Sequence, residues 1–207
     1  MELRDFNTFQ LDAIREVGNI GAGNAATALS KLLDRAVDMD VPRAELVSIY
    51  ELGEHYGAPE TIVAAVFVRS EGEFPCNLIF ILPEEEATML VDLLLVQQMG
   101  AAMPDLPDEI RDSALAEVRN IVLSSFLNAI NVLMGTTHMI SVPGVAHDML
   151  GSILDVVVSI YGQMGDTALI VNTTLIVAGA GANVSGKVIM IPDPGSLDTL
   201  LGKLRVL

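Results

Sequence analysis

Apolar residues recur at helical spacing over two long stretches of the chain, and each stretch carries polar residues on its opposite side. In the first stretch the apolar positions are Leu11, Ile14, Gly18, Ala25, Leu29 and Leu32. In the second they are Leu115, Val122, Phe126 and Leu133. At about 100° per residue each set falls within one arc, as on a helix that buries one face. The pattern predicts helices at about Thr8–Leu33 and Asp108–Met134, with Asn7 or Thr8 capping the first.

Shorter runs rich in Val and Ile, bounded by Gly and Pro, predict the strands. We expect strands at about 45–50, 61–69, 76–82, 167–178 and 184–191. We expect further helices at about 84–97, 148–163 and 196–205. Because helices alternate with adjacent strand pairs rather than with single strands, the pattern predicts an α/β or α+β fold around a mixed sheet.

An internal repeat divides the chain into two halves. The repeated positions are Asp12, Glu16, Asn19 and Pro42 in the first copy and Ser113, Glu117, Asn120 and Pro143 in the second. Each position in the second copy follows its equivalent by 101 residues, and 22 residues separate Asn from Pro in both copies. We therefore predict one domain, residues 1–207, made of two repeats at about 1–103 and 104–207. The two halves would share a sheet about an approximate two-fold axis; two separate domains joined at 100–107 are the alternative.

Charge and composition exclude several classes of function. The net charge of −16 repels a phosphate backbone, so nucleic acid is not an expected partner. The longest uncharged stretches, 120–147 and 167–186, are interrupted by Ser, Thr, Asn and Gly, so we expect no membrane insertion. The chain start is acidic and lacks the apolar core of a secretory signal. Because Cys76 is the only cysteine, no internal disulfide is possible, and we expect a cytoplasmic protein.

The polar face of each long helix carries the candidate chemistry. Asp12, Glu16 and Asn19 fall within an arc of about 60°, and their equivalents in the second helix cluster likewise. A single such face could simply be solvated. Asn is unfavourable inside a helix, however, and its presence in both copies together with Glu and Pro favours a function. A carboxamide can accept and donate hydrogen bonds at once, so it can orient a water molecule towards a phosphoryl group.

Other chemistry finds little support in the sequence. The three histidines lack the spacing of a metal site, so we expect no metal or cofactor of its own. Gly21, Gly23 and Ala26 superficially match a dinucleotide-binding motif, but a helical pattern precedes them where that motif needs a strand. A phosphoryl-transfer enzyme of this kind would depend on its substrate for the metal, which indicates a protein substrate.

The repeated motif, together with the segment from Glu16 to Ala28, resembles the CheC, CheX and FliY phosphatases of bacterial and archaeal chemotaxis, and CheC most of all. The resemblance implies two pseudo-symmetric halves with the long helices exposed side by side. It also implies a hydrolase acting on the aspartyl-phosphate of the response regulator CheY. Mg²⁺ would come from CheY, and CheD would be a possible second partner.

The resemblance also assigns roles to the motif residues. Asn19 and Asn120 would orient the attacking water, and Glu16 and Glu117 would contact a lysine of the regulator. Asp12 and Ser113 begin the motif, and the resemblance leaves open whether they dock the substrate or only form part of the motif. The alternative is a non-catalytic module of the same fold that binds CheD or a flagellar switch complex.

Arg119 departs from the pattern, because Gly18 occupies its position in the first copy. An arginine between Glu117 and Asn120 could pair with Glu117 or hinder docking, which would weaken the second site. Alternatively, it could be a peripheral side chain without effect.

Overall fold

The computed structural model describes residues 6–100, 107–137, 139–163, 165–178 and 183–204, with the backbone alone for 40–44 and 108. Its helices are α1 (Thr8–Leu33), α2 (Glu84–Met99), α3 (Asp108–Met134), α4 (Leu150–Tyr161) and α5 (Ser196–Lys203), with a 3₁₀ helix at Ile49–His55. Its strands are β1 (Val37–Ser48), β2 (Ile62–Glu71), β3 (Cys76–Pro83), β4 (Met139–Ile140), β5 (Gly144–Met149), β6 (Thr167–Val177) and β7 (Asn183–Pro192).

The two long helices begin and end where the sequence predicts. Asn7 caps α1 through a reciprocal pair of bonds: its side chain accepts from the Gln10 N–H at 2.9 Å, and the Gln10 side chain accepts from the Asn7 N–H at 2.9 Å. Asp34 ends α1 in the left-handed conformation at φ 48°. Gly135 ends α3 at φ 66°, where the absence of a Cβ removes the steric penalty.

A single seven-stranded sheet runs through the molecule in the order β1-β6-β7-β3-β2, with β4 and β5 both pairing with β2 at one edge. The predicted fold class, helices and strands around a shared sheet, is confirmed. The expected mixed sheet is wrong in one respect, because every pairing among the described strands is antiparallel. The reason is that β2 and β3, and likewise β6 and β7, follow each other closely and form hairpins.

The strand order is symmetric about the centre of the sheet. β3 and β7 form the central pair, β2 and β6 flank them, and β5 and β1 lie outermost. In each half a long helix precedes the outermost strand, and a hairpin and a shorter helix end the half. This arrangement brings α1 and α3 together on one face of the sheet, where they pack side by side.

Apolar residues fill both faces of the sheet. On one face, α1, α2, α3 and α5 cover the alternate strand residues that include Leu78 and Phe80. On the other face, α4 and the 3₁₀ helix cover the intervening residues, such as Ile79. The continuous apolar run of β3 therefore reflects a strand buried on both sides. No helix in the described part of the chain combines the length and apolar character needed to cross a bilayer.

The edge strands β4 and β5 are the strands that the sequence analysis missed. Their residues are mostly exposed, with glycine, proline, histidine and aspartate among or beside them, so they lack the buried pattern of a central strand. The structure also begins β1 at Val37 rather than near residue 45. The helix predicted from residue 148 begins instead at Leu150, because Asp148 and Met149 still pair with β2.

Candidate functional site

All six predicted site residues lie on the exposed faces of the two adjacent long helices. Asp12, Glu16 and Asn19 are exposed on α1, and Ser113, Glu117 and Asn120 are exposed on α3. Residues between them in the sequence face the core, including Ile14 and Val17 on α1 and Leu115 and Val118 on α3. The predicted outward orientation is confirmed for both copies, and a docking protein can reach both carboxamides.

The acid and amide groups of the two copies are free to bind a partner. Within the part of the chain that the structure describes, no hydrogen bond or ion pair engages the side chains of Glu16, Asn19, Glu117 or Asn120. Each Glu precedes its Asn by three residues, which places the two side chains one helical turn apart on the same face. An incoming protein therefore displaces only water from these four groups and breaks no internal interaction.

The surroundings of the two Glu–Asn pairs differ in charge. On α1, the Arg15 guanidinium donates to Asp12 across 3.0 Å, in an ion pair whose two side chains are 56% and 59% exposed. The equivalent positions on α3 are Ala116 and Ser113, neither of which is charged. The first copy thus carries a mutually neutralising pair where the second carries two small uncharged residues.

A groove of about 380 Å³ opens beside the second Glu–Asn pair. The groove is lined by residues of α3, by Val68 of β2 and by three residues at the sheet edge; those of α3 are Glu117, Asn120, Ile121, Leu123 and Ser124, and those at the edge are Ile140, Ser141 and Pro143. Pro143 therefore returns to Asn120 after the chain has left α3 and run along the edge of the sheet. In this copy the 22-residue spacing between Asn and Pro brings both residues to one groove.

Sequence reasoning found Pro143 as part of the motif but missed Ile140 and Ser141. The available signal was the short apolar run from Met139 to Pro143, which ends at the motif proline. In the first copy, the side chain of Pro42 lies outside the described residues. Its backbone lies in β1, where the register against β6 shifts between Asp40 and Arg43.

Arg119 is a buried residue, so the expected pairing with Glu117 and the expected peripheral position are both wrong, while its effect on the second site stays a prediction. Its side chain has no exposed surface, and its Nε donates to the Leu115 carbonyl oxygen across 2.8 Å. A terminal nitrogen also lies 3.5 Å from the Asp112 carbonyl oxygen, so the guanidinium is directed towards the start of α3 and away from Glu117. The other terminal nitrogen is buried without a partner among the described residues. Arg119 therefore neither pairs with Glu117 nor lies at the periphery.

Burial also sets the protonation of Arg119. Desolvation lowers its pKa to about 10, while the carboxylates of Asp112 and Glu84 act in the opposite direction. The side chain is still charged at neutral pH. It contributes a buried positive charge beneath the second site, where the first copy has the buried Gly18.

Other reactive groups in the described chain are not arranged for catalysis. Cys76 is buried, and desolvation raises the pKa of its thiol to about 12, so it stays protonated and is a poor nucleophile. No group of three or more His, Cys, Asp and Glu residues in the described ranges is placed to hold a metal ion. His147 lies 2.9 Å from Glu84 and 3.5 Å from Asp112, in a polar cluster that links β5, α2 and α3.

Comparison with known proteins identifies the relatives of this chain. Residues 9–46 match the CheC-like family. The chain is 34% identical over 197 residues to the CheY-P phosphatase CheC of Bacillus subtilis strain 168, covering 92% of this chain and 91% of that protein. It is 31% identical over 144 residues to the flagellar motor switch phosphatase FliY of the same strain, covering 70% of this chain and 37% of FliY.

A solved structure supports the fold independently. The crystal structure of Thermotoga maritima FliY superposes with a TM-score of 0.74 at 20% identity, covering 97% of this chain and 98% of that one. At this sequence identity the structural match shows the fold alone. The near-full-length sequence match to CheC establishes the family. The chain belongs to the CheC family.

Proposed function

We propose that this protein hydrolyses the aspartyl-phosphate of the chemotaxis response regulator CheY at two sites, Glu16–Asn19 and Glu117–Asn120. One observation carries the proposal: two outward-facing, unpartnered carboxamides, each with a carboxylate one turn earlier, lie on two helices packed side by side. The relatives support the same activity, since one is a CheY-P phosphatase and the other a flagellar motor switch phosphatase.

The carboxamide would position the attacking water. Its oxygen accepts a hydrogen bond from the water, whose oxygen then attacks the phosphorus in line with the aspartyl oxygen. The phosphorus–oxygen bond to the aspartate breaks, the carboxylate leaves with the bonding electrons, and the proton from water passes to the inorganic phosphate. Because positioning supplies much of the rate in such reactions, a side chain without a titrating group suffices.

The carboxylates would hold the partner. Glu16 and Glu117 would each pair with a cationic side chain of the regulator beside its phosphorylated aspartate, which fixes the register of the Asn relative to the phosphorus. Asp12 and Ser113 would lie at the margin of the same surface. The overall charge of −16 would favour the approach of a partner through a basic face.

We infer that the magnesium ion of the reaction belongs to the substrate protein. The inference rests on the resemblance to the CheC phosphatases, which implies that the substrate protein supplies the ion. When bound in the regulator, the ion would neutralise charge on the phosphoryl oxygens. The residues of this chain would then act only on the water and on the fit between the two proteins.

Three further features belong to the proposal. The chain would work as one domain made of two repeats, at about 1–103 and 104–207, which the strand order supports. CheD would be a second partner, on the strength of the resemblance to CheC proteins. The protein would act in the cytoplasm, consistent with a single, buried cysteine that forms no internal disulfide.

The proposal is tested by phosphate release from phosphorylated CheY. We expect the double variant Asn19→Ala/Asn120→Ala to lose at least about 100-fold in rate, because no water remains positioned at either site. The matched control is Asn24→Ala/Asn128→Ala, which removes the same exposed carboxamide from the same two helices away from the motif. Equal rates in parent, double variant and control would instead support a non-catalytic docking module.

A further inference from the structure

A short apolar segment at the edge of the sheet is unusually exposed. The side chains of Met139 and Val142 are 75% and 90% exposed, and that of Ile140 is 44% exposed. With Pro143 they form an apolar segment of the chain, interrupted by Ser141, which we name the docking lip (Met139, Ile140, Val142 and Pro143). Grouped exposed apolar side chains of this kind mark binding surfaces more often than isolated ones do.

The lip is held in place by the neighbouring strand. Met139 and Ile140 pair with the end of β2, the Ser141 N–H donates to the Arg69 carbonyl oxygen at 2.8 Å, and the Arg69 N–H donates to the Ser141 hydroxyl at 2.9 Å. The guanidinium of Arg69 in turn donates two bonds of 2.6 Å to Asp193. A segment fixed in this way loses little conformational entropy when a partner binds.

The lip is continuous with the second Glu–Asn pair. Ile140 and Pro143 line the same groove as Glu117 and Asn120. A protein that brings a phosphoryl group within hydrogen-bonding reach of a water on Asn120 therefore comes close to Ile140 and Pro143. We propose that the docking lip binds the phosphorylated response regulator at the second site, an inference that rests on the proposed function.

The chemistry of the surface defines the part of the regulator that it fits. Apolar side chains and a free carboxylate line the same groove, so the matching surface carries an apolar side chain and a cation near the phosphorylated aspartate. A second copy of this chain is a poor occupant, because two molecules of charge −16 repel each other. The lip therefore acts as a specificity-determining element for the substrate of the second site.

The test uses variants in which only one of the two sites can act on the substrate. In the Asn19→Ala background, only the second site acts on phosphorylated CheY. There we expect Ile140→Ser/Val142→Ser to raise KM about tenfold and to leave kcat within about twofold, because the lip holds the substrate and does not touch the reacting atoms. In the Asn120→Ala background, where only the first site acts, the same pair of changes should alter neither constant.

The matched control is Val156→Ser/Ile160→Ser on α4, which removes two apolar side chains that are 49% and 54% exposed on the opposite face of the sheet. It should leave both constants unchanged in both backgrounds. If the parent is active but the lip variant leaves KM unchanged in the Asn19→Ala background, the proposed role of the lip is wrong and the proposed function is unaffected. A parent without phosphatase activity would overturn the proposed function. A lip variant that changes only self-association, measured by sedimentation, would assign the lip to contacts between copies and so overturn this proposal.

Discussion

The two long helices carry the same Glu–Asn pair, but the residues buried below the pair and flanking it differ. Beneath the pair on α1 lies the buried Gly18, and beside it Arg15 neutralises Asp12. Beneath the pair on α3 lies the buried, charged Arg119, and the flanking residues are small and uncharged. The two copies share the exposed Glu–Asn pair and a buried valine between its members, Val17 in one and Val118 in the other, but they differ at the next buried position. The comparison indicates that the chemistry depends on the geometry of the outer face, and that the interior below it can be built in more than one way.

Replacing Arg119 should give the largest effect, and it tests whether the buried residue below the second site affects stability alone or also catalytic activity. Arg119→Gly puts the residue of the first copy into the second helix, and we expect it to lower the free energy of unfolding by about 3–5 kcal/mol. The lost volume leaves a cavity, and glycine itself disfavours a helix interior. Arg119→Met keeps most of the volume and removes a buried charge with an unpartnered nitrogen, so its stability should equal or exceed that of the parent.

Urea unfolding measures both variants, and phosphate release from phosphorylated CheY should be unaltered in Arg119→Met. If Arg119→Met unfolds as readily as Arg119→Gly, the charge itself supports the helix. If Arg119→Met folds normally but loses activity, Arg119 contributes to the reaction. The conclusion that only the exposed face determines activity is then wrong.

A pair of glycines on α1 tests how closely the two helices approach. A Cβ atom at Gly21 would lie 2.7 Å from Cδ1 of Phe126 on α3, whereas a Cβ atom at Gly23 would meet open space. We expect Gly21→Ala to lower the free energy of unfolding by about 1–3 kcal/mol through overpacking. Gly23→Ala should raise it by about 0.5–1 kcal/mol, because alanine is the better helix former.

The same unfolding assay reports both glycine variants. Two stabilised variants would show that α1 and α3 can separate without cost, and the side-by-side placement of the two sites would then lose its structural basis.

The sequence predicted the long helices well because their signals are local and redundant. For α1 the reciprocal cap at Asn7 agrees with the buried stripe, and for α3 the buried stripe agrees with Gly135 at the helix end. The antiparallel sheet was harder to predict, because the pairing of β3 with β7 joins the two halves and has no local signature. The edge strand β5 was missed because its pattern is that of exposed residues, and its position depends on pairing with β2.

The candidate site likewise has features that local sequence signals predict and features that depend on tertiary packing. Repetition of Glu and Asn at fixed spacing was enough to select the outward-facing residues, since a helix fixes which side chains share a face. The burial of Arg119 was not predictable, because its position in the motif is compatible with either face until the packing of α3 against its neighbours is known. The groove beside Asn120 depends on the return of the chain to Pro143, which only the edge of the sheet reveals.

The most direct test of two independent sites is the rate of phosphate release by the single variants Asn19→Ala and Asn120→Ala. If each Asn positions its own water, each variant keeps part of the parent activity, and the two residual rates add up to about the parent rate. If one single variant is as slow as the double variant, the remaining pair is inert, and the account of two working Glu–Asn sites is contradicted.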